Sequence, residues 1–295
     1  MPALQSADHG RTLLDAVQRE SYHPLRLAPA VVTSAIIPIN DDAIGRGSVA
    51  VHVVRSLAVD SDALLPAVVY AHGACGDFAT HERFMRALAD RTGAAIVFVD
   101  YDRAPWPSPS SQMFQVATWL AECGDRVGVD GTRLALAGDG IGAHIATAAS
   151  ALAADDQDMR PRMRAQILVC PVLDAPAGLP ADDDRVTDLP WTSCQALART
   201  WDEYAPDPTH SPLVAHASRL RLLPSTLVIV AERDVVASHG RAYADALTVA
   251  GGRVEMASYG DAFHDFCVLD ALADTPPAAA ALDLIAHFAI NAFMN

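Results

Sequence analysis

The chain has 295 residues, of which 51% are hydrophobic and 19% charged, enough apolar material for a sizeable core and too much for a disordered segment. Its formal net charge of -15 repels phosphate backbones and excludes nucleic-acid binding as a main role. All 21 basic residues are arginine, so chemistry that needs a Schiff-base lysine, a Ser–Lys pair or a phosphate-loop lysine is excluded as well.

In chain order, residues 11–22 set Leu13, Leu14, Ala16 and Val17 at helical spacing, with Asp15, Gln18 and Arg19 on the other face, which predicts an amphipathic helix ahead of the sheet. Stretches 31–39 and 49–57 read as two strands around the turn-rich segment 40–47, an antiparallel start. From residue 65, continuous apolar runs alternate with helical patterns, the signature of a parallel sheet covered on both faces. The runs are 66–71, 94–99, 133–137, 166–172, 226–231 and 253–258; the helical patterns lie near 80–91, 112–122, 142–154, 239–250 and 278–293. The expected fold is therefore α/β, with an eight-stranded, mostly parallel sheet.

Segment 175–216 interrupts this rhythm. It is long and rich in Asp and Pro, with a helix-like stretch from Trp191 to Tyr204 that offers Trp191, Ala198, Trp201 and Tyr204 for packing. An excursion of that length in a compact domain commonly covers a site. The expected organisation is one domain over 1–295, with a cap formed by about 1–28 and 175–216. No uncharged apolar segment reaches the roughly 18 residues of a membrane span, and the N-terminus has no basic region followed by an apolar run. Cys75, Cys123, Cys170, Cys194 and Cys267 are odd in number and never spaced C-x-x-C, so a disulfide framework or zinc site is not expected and a reducing, cytoplasmic setting is.

The stretch from Leu134 to His144 reads as a buried strand that breaks into a Gly-rich corner and enters a small-residue helix. That is the layout of a nucleophile elbow, G-x-S-x-G, except that Gly140 stands where the serine belongs. Alone, such a corner is equally an ordinary strand–helix turn. His72-Gly73-Ala74-Cys75-Gly76 follows an earlier strand as a small-residue loop able to aim backbone N–H groups at a developing oxyanion. Asp234 ends the 226–231 strand region, and His264 follows the next strand. Elbow, acid and histidine in that order are the order of an α/β-hydrolase triad.

On these motifs the chain resembles the hormone-sensitive-lipase-like branch of the α/β-hydrolases, the bacterial carboxylesterase group. The branch's H-G-G-G is similar to His72-Gly73-Ala74-Cys75, its D-Y-R-L-A-P to Asp100-Tyr101-Asp102-Arg103-Ala104-Pro105, and its G-D-S-A-G-G to Gly138-Asp139-Gly140-Ile141-Gly142-Ala143. Pro171-Val172-Leu173-Asp174, Ser211-Pro212-Leu213, the acid motif 231–234 and the histidine motif ending at Phe266 extend the match from about residue 10 to the C-terminus. The resemblance implies an α/β-hydrolase fold with a helical cap, no metal and no organic cofactor. It implies amides of Gly73, Ala74 and Ile141 on the oxyanion, His264 as general base and acid, and Asp234 holding the histidine tautomer. Cys75, Trp191, Trp201 and Tyr204 are the expected pocket residues, facing a small, apolar or aromatic molecule. Pairing of two copies through an edge strand is left open.

Three departures matter: Gly140 for the elbow serine, Ala74-Cys75 for two glycines, and Asp102-Arg103 for the branch's Arg-Leu. Without the serine, an acyl-enzyme has no nucleophile, and efficient ester hydrolysis is not expected. Three readings stay open: an esterase whose serine has been exchanged or lost, a lyase, isomerase or cyclase using His264 and Asp234 as a proton-transfer dyad, and a binding protein without catalysis. Isoflavanone dehydratases and gibberellin receptors are the branch's precedents for the last two. Cys75 as a substitute nucleophile is the weakest reading, since it lies on the loop and not at the elbow.

Overall fold

The computed structural model describes residues 7–24, 27–41, 45–155, 162–175, 191–205 and 207–295. Eight strands form one sheet: β1 (Ala30–Asp41), β2 (Gly45–Ser56), β3 (Leu65–Ala71), β4 (Ala95–Asp100), β5 (Val129–Asp139), β6 (Met163–Val169), β7 (Ser225–Ala231) and β8 (Val254–Tyr259). Their order is β1-β2-β4-β3-β5-β6-β7-β8; β1, β2 and β4 pair antiparallel, and every other pairing is parallel. The chain steps from β3 out to β4 and returns to β5 on the other side, so the order reverses at β3. Crevices at such a reversal, outside the carboxyl ends of the strands, are where open α/β sheets bind ligands.

The helices are α1 (Ala7–Ser21), α2 (Phe78–Thr92), α3 (Ser108–Cys123), α4 (Ile141–Asp155), α5 (Cys194–Tyr204), α6 (Ala217–Leu220), α7 (Ala237–Val249) and α8 (Pro276–Met294). Because side chains alternate across a strand, Val69, Val97 and Leu136 pack on one face with α3, α4 and α7 residues such as Met113, Ile145 and Tyr243. Tyr70, Ile96 and Ala135 pack on the other with Phe84 and Leu88 of α2 and Leu282 and Ile285 of α8. Helix α8 has the length and the mean hydropathy, 1.4, of a membrane span. It nonetheless lays Ala281, Ile285 and Ala289 into the second core layer and pairs Asp283 with Arg91 of α2.

Two expectations change. Strand β6 ends at Val169, not 172, because Cys170 turns to φ 44° and Pro171 has no N–H for the ladder. Gln18 of α1, expected on the polar face, is buried. Its amide donates to the carbonyls of Thr80 (2.5 Å) and Val268 (3.2 Å), and its oxygen accepts from the Asp270 N–H (2.8 Å). That one side chain ties α1 to the body of the molecule. Nearby, Arg83 and Asp270 form a buried ion pair at 2.8 Å. Of the segment read as a cap, 176–190 lies outside the described residues; 191–205 holds α5, N-capped by Ser193. Trp191 packs with Leu14 of α1 and with Leu269.

Candidate active site

The site is built on β3, β5, β7 and β8. Ala71 of β3 pairs in register with Gly138 of β5, which sets the His72 loop beside the corner at Gly140. A Cβ at 142 would collide with the carbonyl of Ala71, and one at 138 with the carbonyl of Gly142, so the two flanking glycines permit this close approach. Gly140 itself has φ 52°, a left-handed conformation natural to glycine and strained for other residues. Its N–H donates to Val169 O (3.0 Å), and its carbonyl accepts from the N–H of Val172 (3.0 Å). A Cβ placed on Gly140 would have His264 Nε2 as its nearest neighbour, at 3.4 Å.

Asp234 and His264 come together as the spacing implied. Hydrogen bonds from the Glu232 N–H to Tyr259 O (3.0 Å) and from the Arg233 N–H to Ala262 O (2.9 Å) fasten the loop after β7 to the loop after β8. His264 Nδ1 donates to Asp234 Oδ2 at 2.7 Å, and the other Asp234 oxygen accepts from the Val236 N–H at 3.0 Å. Both side chains are buried.

On the opposite edge of the imidazole stands a second carboxylate that the sequence reading passed over. Asp265 Oδ1 lies 3.5 Å from His264 Nε2, and Trp191 Nε1 donates to Asp265 Oδ2 at 2.9 Å. Burial alone would push the His264 pKa down; the carboxylates of Asp234 and Asp265 overcome it and lift the pKa to about 10. Burial pushes the Asp265 carboxyl up, and the Asp139 charge adds to that. His264 is therefore an imidazolium at neutral pH. Because its folded pKa exceeds the unfolded 6.5, its stabilising contribution is complete below about pH 6.5 and is lost as pH rises towards 10. Thermal unfolding should show the native chain losing stability between pH 7 and 10, and His264→Gln should flatten that slope. A slope equal in both proteins would contradict the assignment.

The oxyanion loop needs one correction. The Gly73 N–H, expected to face an oxyanion, is already donated to Asp139 Oδ2 at 3.0 Å, because Asp139 points back from the elbow under the loop. Among the described residues, the amides of Ala74 and Ile141 have no acceptor, and both residues line the cleft beside Gly140 and His264. Asp139 also accepts from Tyr70 Oη (2.7 Å) and pairs with His81 Nε2 (3.2 Å). His72 stacks on Tyr101 with ring centroids 4.4 Å apart, and burial lowers its pKa to about 3, so it stays neutral. Arg103 reaches the loop with two prongs, each at 2.5 Å, to the carbonyls of Ala74 and Gly76. The departure from the Arg-Leu pattern thus supplies a clamp on the loop.

The cleft measures about 40 Å³ and is lined by Leu14, Cys75, Ile141, Val172, Trp191 and Leu197 together with Gly140, His264 and Asp265. A second hollow of about 100 Å³ shares Ala74, Ile141 and Thr200 with it and runs past Arg103, Glu203 and Tyr204. Of the expected pocket residues, Cys75 and Trp191 line the cleft and Tyr204 lines the second hollow. Trp201 does not: it is 2% exposed in the main core, against His144 at 5.3 Å between ring centroids. Burial pushes the Cys75 thiol up to about 11, which keeps it protonated and a poor nucleophile.

The residues from 68 to 268 match the family of the alpha/beta hydrolase fold. An ethyl acetate hydrolase of Pseudomonas putida is 32% identical over 213 residues, covering 68% of this chain and 65% of that enzyme. A carboxylesterase of Mycobacterium tuberculosis is 31% identical over 215 residues, covering 68% and 66%. The chain belongs to the α/β-hydrolases, in their hormone-sensitive-lipase-like branch. The crystal structure of a thermostable esterase from Pseudomonas putida superimposes with a TM-score of 0.85 at 30% identity, covering 98% of this chain and 91% of that one. The matched region thus spans about two thirds of the curated relatives' length and nearly the whole of the solved one. Within this α/β-hydrolase Asp234 and His264 stand in hydrogen-bonding geometry, and glycine occupies position 140 at the strand–helix corner.

Proposed function

We propose that this α/β-hydrolase is of the carboxylesterase type, with a site that receives small carboxylic esters but forms no acyl-enzyme. One observation carries the reading: the nearest atom to a Cβ built on Gly140 is His264 Nε2, at 3.4 Å. A hydroxymethyl group there would stand where a triad serine stands, with the Asp234–His264 pair behind it and the Ala74 and Ile141 amides beside it. The modest cleft and its apolar lining favour a short acyl group, with the alcohol portion in the second hollow. The ethyl acetate hydrolase among the relatives acts on an ester of that size.

A fluorophosphonate reagent tests this directly. It should label the Gly140→Ser variant at residue 140 and leave the native chain unlabelled there. Labelling of another residue, or none in a folded variant, would overturn the reading. The Arg103 clamp should matter to the same chemistry: in the Gly140→Ser background, Arg103→Ala is expected to reduce kcat about tenfold or more through misplacement of the oxyanion loop. Arg103→Lys should not restore it, because one ammonium cannot satisfy two carbonyls held at fixed separation. Unchanged kcat in both would remove Arg103 from the site.

A further inference from the structure

We infer that Asp265 is a further catalytic residue, the general base that delivers water to an ester bound at Gly140, with His264 as the matching acid. The inference rests on the ester reading of the pocket, and it begins from the backbone. Asp265 has φ 62°, a left-handed conformation few residues other than glycine adopt without cost. A charged side chain held there, and buried as well, is a costly arrangement. Trp191, which belongs to the segment over the cleft, holds one of its oxygens at 2.9 Å. The other oxygen is 3.5 Å from His264 Nε2, on the edge of the imidazole that a triad presents to its nucleophile. At that distance the ion pair is too long for a strong hydrogen bond, so neither group is committed to the other.

Gly140 and Asp265 are thus complementary. With a serine at 140, His264 Nε2 would have to be neutral to accept the hydroxyl proton. With glycine there, the edge faces a carboxylate and stays protonated. The group available to take up a proton is then Asp265, and the group available to give one is His264. The cleft of about 40 Å³ has room for a water.

The water oxygen bonds to the ester carbonyl carbon as its proton passes to Asp265 Oδ1. The carbonyl π pair moves onto oxygen, where the Ala74 and Ile141 amides receive it. When the tetrahedral adduct collapses, the bond to the alcohol oxygen breaks, and that oxygen takes the Nε2 proton of His264. Asp265 then returns its proton to His264 across the 3.5 Å gap. Ester and water have become acid and alcohol, with no covalent intermediate and no co-reactant.

The test is a pair of substitutions read in two backgrounds with p-nitrophenyl acetate. Asp265→Asn keeps an acceptor for Trp191 and suits a positive φ. In the native chain it should lower the hydrolysis rate by about 10²-fold, the weight of a general base. In the Gly140→Ser background the same change should leave kcat equal or higher, because a carboxylate no longer competes with the serine for Nε2. Asp265→Gly, which relieves the backbone, should repeat both results. A loss of rate in the native chain with none in the Gly140→Ser background is not expected of a residue that is merely structural. If Asp265→Asn and Asp265→Gly leave native hydrolysis unchanged, or if the native chain hydrolyses no faster than buffer, Asp265 is not the base. In either case an active Gly140→Ser variant keeps the ester reading standing. Failure of Gly140→Ser to gain activity removes that reading, and this inference with it.

Discussion

The Gly140→Ser variant is expected to hydrolyse p-nitrophenyl acetate at least about 10³ times faster than the native chain, since loss of a triad serine in comparable machinery costs about 10⁶ in kcat. The gain is set below that figure because Asp265 lies 3.5 Å from the imidazole nitrogen the new hydroxyl needs. The backbone at 140 already has the φ of 52° that exposes an elbow side chain, so the substitution adds strain on the order of 1–3 kcal/mol without asking for a rearrangement. Among the described residues, and apart from its own chain neighbours, the added Cβ would have His264 Nε2 nearest, at 3.4 Å. Asp234 holds the far nitrogen at 2.7 Å. Steady-state rates with acetyl, butyryl and octanoyl esters measure the effect, and the short chains should be preferred. A variant that folds with native stability and stays within tenfold of the native rate would mean that the oxyanion amides or the dyad are not aligned with residue 140.

Asp139→Ala is expected to be the most destabilising single change in the site, lowering the free energy of unfolding by about 3–5 kcal/mol, the cost of breaking a buried ion pair by removing one partner. The carboxylate is 2% exposed and carries three interactions: Tyr70 Oη at 2.7 Å, Gly73 N–H at 3.0 Å and His81 Nε2 at 3.2 Å. Burial alone would raise its pKa, but His81 and the Tyr70 hydroxyl overcome this and hold the carboxyl below its usual range, while His81 is held above its own. Removing the carboxylate strands an imidazole, a phenol and an amide in the buried layer between β3, β5 and α2. Asp139→Asn keeps one acceptor oxygen, for Tyr70 or for Gly73 but not for both, since the two bond to different carboxylate oxygens, and should cost less than the alanine, about 1–3 kcal/mol. Denaturant unfolding at pH 7 separates the two variants. Equal, small losses would show that the His81–Asp139 pair contributes little and that shape alone holds the elbow to the loop.

Much of the site was legible in the residue order because the α/β-hydrolase scaffold fixes where each strand ends. A strand followed by a small-residue loop, a strand followed by a glycine corner, an acid after β7 and a histidine after β8 must converge once the sheet forms, since parallel strands end on the same side. The two elements that slipped did so for local reasons. The run 166–172 looks like uninterrupted strand in hydrophobicity, and only the turn at Cys170, with φ 44°, shows where pairing stops. Gln18 looks like a surface residue by type, and its burial depends on three backbone groups contributed by α2 and by residues 268–270.

Residue chemistry alone therefore determined the class of sheet, the order of the candidate catalytic groups and the absence of a hydroxyl at the elbow, because these follow from apolar periodicity and from which atoms a side chain possesses. Which amides and charges are committed was decided by tertiary contact. Gly73 spends its N–H on Asp139, Arg103 grips the loop carbonyls, Trp201 turns into the core, and Asp265 meets the free edge of His264. Each of those depends on distances between segments far apart in the chain, or on a single backbone torsion, and electrostatic and hydrogen-bonding energies vary steeply with exactly such distances once water is excluded.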